Sequence, residues 1–301
     1  MILQDLRKGG HICPPSFLID NTHYLCTMGS HAYGIGSENS DIDIYGFCIP
    51  PKRIVFPHTV GVIQGFGNQG ERFEQWQEHH IKDEFNDYDI TVYNIVKFFK
   101  LCMDNNPNMI DSLFVPENCM RHMTQVGKMV RDNRLKFLHK GSYHKFSGYA
   151  YSQKNKMMNR DVEKLKLKNE DELTPREKSV LKYGYDTKFA YHTVRLLNES
   201  EQILTTKDLD LARDKELLKY IKDGGWSYDK ICEYFDKKEK YLQNLYETSS
   251  LQHKPDEKEI KQLLMNCLEH HYGKLDNIIK IETKDDSNLL KDLIELVEKY
   301  K

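Results

Sequence analysis

The chain has 301 residues, which is long enough for one large domain or two smaller ones. Its residues are 39% hydrophobic and 30% charged, so a packed core lies beneath a highly charged surface. The formal net charge of −2 excludes a uniformly basic nucleic-acid-binding protein. The charge is uneven, because residues 131–198 hold 16 Lys and Arg against 8 Asp and Glu. This segment fits a polyanion lying across one face, although a solvated helical surface explains the charge equally well.

The cysteines and the N-terminus bear on the cellular compartment. The seven cysteines are scattered and form no Cys-x-x-Cys motif, which is typical of buried free thiols in a reducing compartment. The first ten residues are charged and contain no apolar run, so they do not resemble a signal peptide. No apolar stretch approaches the ~20 residues of a membrane span. We therefore expect a cytoplasmic protein without a membrane association.

A strand, a loop and a second strand open the informative part of the chain. Tyr24–Met28 is rich in β-forming residues and predicts a short strand. The second strand carries Asp41 and Asp43, and residues two apart in a strand share a face. Both carboxylates therefore point one way, while Ile42 and Ile44 point into the core. Two like charges at this spacing repel, which favours a cation between them.

The loop between these two strands is rich in glycine and serine. Glycines let the backbone come close to a ligand, and successive N–H groups can hold an anion. An anion-binding loop beside a cation site suggests a nucleoside triphosphate with Mg²⁺. The loop residues concerned are Gly29, Ser30, Gly34, Gly36 and Ser37.

Residues 52–86 are punctuated by glycines, and we predict an irregular insertion with a strand near Val60–Phe66. Asn86–Tyr93 then alternates polar and apolar residues and predicts a strand with Asp87 and Asp89 on one face. Either aspartate could supply a third carboxylate to the site. Both could also be exposed charges at the edge of a sheet.

The second half of the chain is predicted to be helical. Ile95–Met103 has apolar residues at helical spacing, and Asn106-Pro107 is a cap followed by a first-turn proline. Thr174-Pro-Arg-Glu177 is a capping box, and we expect its helix to reach about Asn198. The other predicted helical segments are Met123–His139, Tyr143–Lys168, Leu209–Lys222, Ser227–Tyr246, Pro255–Tyr272 and Asn288–Tyr300.

Tyr185, Lys188, His192 and Arg195 are spaced by three, four and three residues, which predicts one face of a helix. Lys and Arg on such a face suit phosphate oxygens, although a solvated basic face has the same spacing. His79-His80 and His270-His271 are adjacent pairs, and neighbours on a helix point in different directions. We therefore do not predict a metal site at either pair.

The Gly-Ser loop followed by Asp-x-Asp resembles the signature of the DNA polymerase β nucleotidyltransferase superfamily. The stretch from Gly29-Ser-x-x-Tyr-Gly to Ser40-Asp-x-Asp-x-x-Gly46 is similar to its prokaryotic and phage group linked to RNA repair. The runs Gly184–Leu197 and His144–Gln153 resemble the same group. Asp89, which precedes a Thr-Val-Tyr run, matches the position of the third carboxylate.

This resemblance implies an α+β fold, in which a small mixed β-sheet nucleotidyltransferase core with helices is followed by a mostly helical domain. We place the catalytic domain at residues 1–120 and the helical domain at 121–301. The implied reaction moves a nucleoside monophosphate from a nucleoside triphosphate to an acceptor hydroxyl, with an RNA end as the expected acceptor, and releases pyrophosphate. Two Mg²⁺ ions, or Mn²⁺, would be held by Asp41, Asp43 and Asp89. The implied nucleotide-binding residues are Gly29, Ser30, Ser40, Lys188, His192 and Arg195.

Two other functions share these core residues. A protein or small molecule could be the acceptor, with AMP as one transferable group. The chain could also be a non-catalytic module that binds a nucleotide or RNA, although a binder does not need three carboxylates facing a phosphate. Within Tyr143–Lys168, Tyr149 could stack on a base and Lys145 could meet a phosphate, while core packing is an equal alternative for Tyr149.

Overall fold

The computed structural model describes residues 1–37, 40–55, 73–158 and 162–273. In this part of the chain, a five-stranded mixed sheet is followed by a mostly helical region, which confirms the α+β class. The strands are β1 (Thr22–Thr27), β2 (Ile42–Cys48), β3 (Gln75–Lys82), β4 (Asp87–Asn94) and β5 (Met120–Met123).

Most of the helices follow the sheet in the chain. Short 3₁₀ helices cover Glu117–Cys119, Arg134–Phe137 and Glu170–Glu172. The α-helices are α1 (Ile2–Lys8), α2 (Gly29–Ala32), α3 (Lys52–Val55), α4 (Ile95–Met103), α5 (Pro107–Phe114), α6 (Gln125–Asp132), α7 (Ser142–Lys156), α8 (Val162–Lys166), α9 (Pro175–Tyr183), α10 (Thr187–Thr206), α11 (Lys215–Lys222), α12 (Tyr228–Thr248) and α13 (Glu257–Tyr272).

The sheet has the order β3-β4-β2-β1-β5. Strands β2 and β4 are parallel neighbours at its centre, and their register places Asp43 opposite Asp89. Strand β3 pairs antiparallel with β4 on the outer side, and β1 pairs antiparallel with both β2 and β5. The central parallel pair therefore brings together two residues that lie far apart in the sequence.

The two faces of the sheet pack against different layers. One face buries Ile44, Ile90 and Val92 together with Leu3 and Leu6 of α1. The other face contributes Tyr24 and Phe47 to a larger core that extends through the helical region. Because side chains alternate along a strand, Asp43 and Asp89 lie on this second face, toward the helices.

Local capping signals set several helix starts as predicted. Asn94 and Asn106 cap α4 and α5, and Thr174 forms a capping box with Glu177 at the start of α9. The expectation that this helix continues to Asn198 is wrong. Gly184 ends α9 in the left-handed region, at a φ of 83°, and a separate helix, α10, begins shortly after it.

Other boundaries also differ from the sequence expectation. Residues expected as one helix over Met123–His139 form the end of β5, α6 and a 3₁₀ helix, and Tyr143–Lys168 holds two helices, α7 and α8. Leu209–Lys222 becomes regular helix only at Lys215, and β3 was not predicted. The predicted segments Val60–Phe66 and Asn288–Tyr300 lie outside the described residues.

The boundary expected between residues 120 and 121 falls inside β5, which pairs with β1, so the division into two domains stays a prediction.

All seven cysteines are free thiols, and Cys13 and Cys232 are the two that are not buried. Among the helices of the described residues, none combines the length and apolar character needed to cross a bilayer.

Candidate active site

Asp43 and Asp89 lie side by side on the helix-facing side of the sheet, near the start of β2 and β4. Asp41 is exposed and immediately precedes β2. Burial raises the pKa of the Asp43 carboxyl, Lys188 opposes the shift, and the nearby carboxylates of Asp89 and Asp41 raise it further. The structure therefore brings the three predicted carboxylates and Lys188 into one electrostatic neighbourhood.

A β-bulge in the neighbouring strand holds Asp89. The bulge lies between Glu78 and Ile81 of β3, and His80 within it has a φ of 55°. The backbone N–H of His80 donates to Asp89 Oδ1 over 2.9 Å, and His79 Nδ1 lies 3.3 Å from the same oxygen. Neighbouring histidines diverge on a helix, but this pair lies in a bulged strand, where both residues reach one carboxylate.

Asp87 does not share this position. It pairs with Lys82 of the neighbouring edge strand β3, with 3.9 Å between Lys82 Nζ and Asp87 Oδ2. Asp89, in contrast, lies in register with Asp43. The geometry therefore favours Asp89 over Asp87 as the third carboxylate.

A backbone hydrogen bond and the lack of room for a side chain both place Gly29 directly against Asp43. The preceding residue, Met28, donates its N–H to the Asp43 carbonyl over 2.7 Å. Gly29 has a φ of 63°, and a Cβ at this position would collide with Asp43 Oδ2. No side chain fits this position without displacing the carboxylate.

The other predicted loop residues lie close by. Ser30 is half-buried in α2, next to Gly29. Ser40 is half-exposed just before Asp41, and its Oγ accepts a hydrogen bond from the Ser37 N–H over 2.9 Å. Ser40 therefore shapes the loop that leads into the Asp-x-Asp strand.

His31 was not predicted as a site residue, although it lies inside the Gly-Ser motif. It is near enough to Asp43 to oppose the rise in the pKa of that carboxyl. Its Nε2 is buried and has no hydrogen-bond partner among the described residues. Leaving a buried polar atom unpaired costs roughly 1–3 kcal/mol, so His31 is a candidate for a ligand contact.

Lys188 lies in the first turn of α10 and is exposed. Asp186 caps this helix and accepts the Lys188 backbone N–H over 3.0 Å. Asp186 also accepts a hydrogen bond from Arg176 Nε over 3.0 Å. Within the described ranges Lys188 has no ion-pair partner, and its charge acts on Asp43.

His192 and Arg195 lie deeper along α10. Burial, with the nearby cations Arg195, Lys188 and Arg176, lowers the pKa of His192 well below its usual value, so its imidazole is neutral. Arg195 is buried, and its Nη1 lies 2.6 Å from Asp111 Oδ2 and 2.7 Å from Glu199 Oε2.

Two tyrosines bear on the basic stripe predicted for this helix. The Arg195 guanidinium lies 4.2 Å from the centroid of the Tyr33 ring. Tyr185, expected on the same helix face as Lys188, lies before the helix and donates its hydroxyl to the Trp226 carbonyl. Lys188, His192 and Arg195 were predicted to share one basic face of this helix. In the described part of the chain, Lys188 alone of these presents a charge toward the carboxylates, and Arg195 belongs to the core.

The donor chemistry fits a hard divalent cation. Carboxylate oxygens are the ligands that Mg²⁺ prefers, and three carboxylates interact here. No three His, Cys, Asp or Glu side chains in the described ranges already stand as a complete metal-binding group. A cation between Asp41, Asp43 and Asp89 would offset the repulsion that raises the pKa of Asp43.

Comparison with known proteins identifies one family and one similar phage protein. The family described as RlaP, RNA repair pathway DNA polymerase beta family, matches residues 17–277. A protein of Enterobacteria phage T4, described as an uncharacterized 38.9 kDa protein in the nrdC-mobD intergenic region, is 28% identical over 131 residues. That match covers 43% of this chain and 36% of the phage protein's length.

Proposed function

Because the chain belongs to the RNA repair pathway DNA polymerase beta family, a group of nucleotidyltransferases, we propose that it transfers a nucleoside monophosphate from a nucleoside triphosphate to an RNA end. The acceptor oxygen forms a bond to the α-phosphorus, the bond from that phosphorus to the β-phosphate breaks, and pyrophosphate leaves. The observation that carries the proposal is the register of Asp43 opposite Asp89, beside Asp41 and Lys188.

Asp41, Asp43 and Asp89 would hold two Mg²⁺ ions, for which Mn²⁺ could substitute. When bound, the ions supply Lewis-acid activation of the acceptor oxygen and neutralise charge on the phosphates. The chain holds Asp89 by one oxygen, Oδ1, through His80. Its other oxygen is then the proposed acceptor for the proton of the attacking hydroxyl.

The triphosphate would lie between the glycine-serine loop and the start of α10. Lys188 supplies a positive charge to the phosphates, and His31 Nε2 is available to donate a hydrogen bond to one of them. Gly29 and Ser30 bring backbone close to the β- and γ-phosphates. His192 is neutral and contributes as a hydrogen-bonding group. Arg195 acts at a distance by holding Tyr33 and the loop against α10.

The proposal is tested by incubating the protein with Mg²⁺, each nucleoside triphosphate labelled at the α-phosphate, and a single-stranded RNA oligonucleotide. We expect label on the RNA and equimolar pyrophosphate. Asp89→Asn is expected to lower the rate at least ~100-fold, since the carboxylate supports both the metal and the acceptor proton. The matched control is Asp87→Asn, which removes a neighbouring charge from the same strand outside the site and is expected to keep the activity.

The outcomes separate the alternatives. Label on protein but not on RNA would replace the RNA acceptor with a protein acceptor. Binding of a nucleoside triphosphate without any transfer, and without an effect of Asp89→Asn on function in cells, would indicate a non-catalytic module. An equal loss of activity in Asp87→Asn and Asp89→Asn would contradict the assignment of the third carboxylate.

A further inference from the structure

A concave surface runs along helix α7. It has a volume of about 420 Å³ and is lined by residues that recur every three or four positions on one helix face. From its first to its last lining residue it extends about 18 Å, at a rise of ~1.5 Å per residue. We call it the α7 groove, and its main residues are His144, Lys145, Gly148, Tyr149, Ser152 and Lys156.

Gly148 keeps the middle of the α7 groove open. A Cβ at this position would meet no atom within 4 Å, so no packing contact within the described residues requires glycine. Glycine inside a helix is nonetheless destabilising relative to alanine. The helix surface at Gly148 is therefore open, and a ligand can come close to the helix backbone there.

Tyrosine side chains connect the middle of the groove with the carboxylates. Tyr45 lies two residues after Asp43 in β2, on the same face. Its ring is parallel to that of Tyr93 in β4, with 6.5 Å between the centroids. Tyr149 is the next aromatic side chain. Burial raises the pKa of the Tyr93 phenol, and the Tyr149 hydroxyl lies near enough to raise it further.

Tyr149 is held in place while its ring stays accessible. Its hydroxyl accepts a hydrogen bond from Asn106 Nδ2 over 3.1 Å, and the residue is 40% exposed. Asn106 also caps α5, so the contact ties the groove to a fixed element. An exposed, oriented aromatic ring is a surface on which a base can stack.

The charges of the groove complement a polyanion. Lys145 and Lys156 are exposed, and neither forms an ion pair with a described residue. Lys156 Nζ lies 5.9 Å from the ring centroid of Phe189, so this end of the groove lies beside the first turn of α10, which also carries Lys188. Lys154, on another face of α7, is instead paired with Asp236 at 2.9 Å.

We propose that the α7 groove binds a single-stranded segment of the acceptor RNA, with a base stacked on Tyr149 and phosphates beside Lys145 and Lys156. The inference rests on the proposed function for the identity of the acceptor. Tyr93 and Tyr45 lie between Tyr149 of the groove and the carboxylates of Asp43 and Asp89. A strand in the groove would thus lead its terminal hydroxyl toward Asp89.

Binding is measured by fluorescence anisotropy with a labelled 12-nucleotide single-stranded RNA, without nucleotide or metal. Tyr149→Ala is expected to raise the Kd about tenfold, whereas Tyr149→Phe keeps the ring and stays close to wild type. Lys145→Gln with Lys156→Gln should reduce the slope of log K against log salt by about 1.4, since two phosphate contacts are lost. Gly148→Gln should raise the Kd about tenfold, because the glutamine side chain fills the groove. It should not lower the Tm, because glutamine has a higher helix propensity than glycine.

The charge control is the double variant Lys128→Gln with Lys237→Gln, which removes two exposed lysines from α6 and α12. It is expected to leave the slope nearly unchanged. The inference is overturned if Tyr149→Ala and Gly148→Gln bind like wild type, or if a duplex of the same sequence binds as tightly as the single strand. The binding assay needs no transfer reaction, so its result can be interpreted even if the proposed enzymatic activity fails. If transfer to RNA is observed but the groove variants bind RNA like wild type, RNA binding in the groove is refuted and the proposed function is not.

Discussion

Arg195 Nη1 lies 2.6 Å from Asp111 Oδ2, although the two residues are 84 positions apart in the chain. Both side chains are buried, and Glu199 shares the same guanidinium. The Tyr33 hydroxyl donates to the same oxygen of Asp111 over 2.9 Å. This cluster therefore joins the glycine-serine loop, α5 and α10 at one point behind the active site.

Arg195→Met is expected to destabilise the fold by about 3–5 kcal/mol, because it leaves two buried carboxyl groups without their cation. The measurement is urea-induced unfolding. The control is Lys261→Met, which breaks an exposed pair with Glu257 and should cost well under ~1 kcal/mol. Equal costs for the two variants would contradict a structural role for the buried cluster.

Gly29→Ala is expected to lower both stability and activity, because its Cβ would collide with Asp43 Oδ2. Gly10→Ala is the matched control, since Gly10 also has a positive φ, of 75°, but a Cβ there would meet no atom within 4 Å. Backbone strain alone costs about 1–2 kcal/mol in each. Thermal unfolding should show the larger loss of stability in Gly29→Ala. The transfer assay should show a loss of activity in Gly29→Ala and not in Gly10→Ala.

Asp43→Asn is expected to stabilise the metal-free protein at pH 7 while removing activity. The folded state raises the pKa of this carboxyl above 3.8, so ionisation at neutral pH opposes folding, and a neutral amide removes that cost. The gain in Tm should shrink as the pH falls toward 3.8. Thermal melts over a pH series in the presence of a chelator test this, and a lower Tm for the variant at pH 7 would refute it.

His23 has the opposite effect from Asp43, since its contribution to stability is expected to be lost on acidification. Its Nε2 lies 2.9 Å from His271 Nδ1, and burial, with the neighbouring charges of His271, His122 and His270, lowers its pKa from 6.5 to about 4. The unfolded chain therefore binds a proton first, so this contribution is present above pH 6.5 and is lost as the pH falls toward 4.

His23→Gln should reduce the fall in the free energy of unfolding between pH 7 and pH 5 by about 1 kcal/mol, since partial exposure screens the effect. Urea unfolding at both values provides the measurement. The comparison is His253→Gln, which changes a histidine that is not among the neighbours of His23. An unchanged pH dependence in His23→Gln would rule out the contribution.

Local signals in the sequence predicted the elements that local interactions determine. Asn106 and Thr174 cap helices with their own side chains, and the alternation around Asp43 and Asp89 identified the shared face. The bulge at His80 was missed because it forms only against Asp89 of the paired strand. The helical spacing of Arg195 was correct, but spacing does not reveal that its partner is Asp111, which a different helix supplies.

The parallel ladder between β2 and β4 sets the distance between Asp43 and Asp89 by backbone hydrogen bonds between the strands. Of the intervening chain, β3 also acts on the site, because it pairs with β4 and its bulge at His80 holds Asp89. Changes of length in the connection between β2 and β3 would thus leave Asp43 opposite Asp89 as long as β3 keeps its pairing with β4. Relatives that differ widely in length in this connection are expected to retain the same reaction, and the connection is the natural position for a fused reporter or a new substrate-recognition segment.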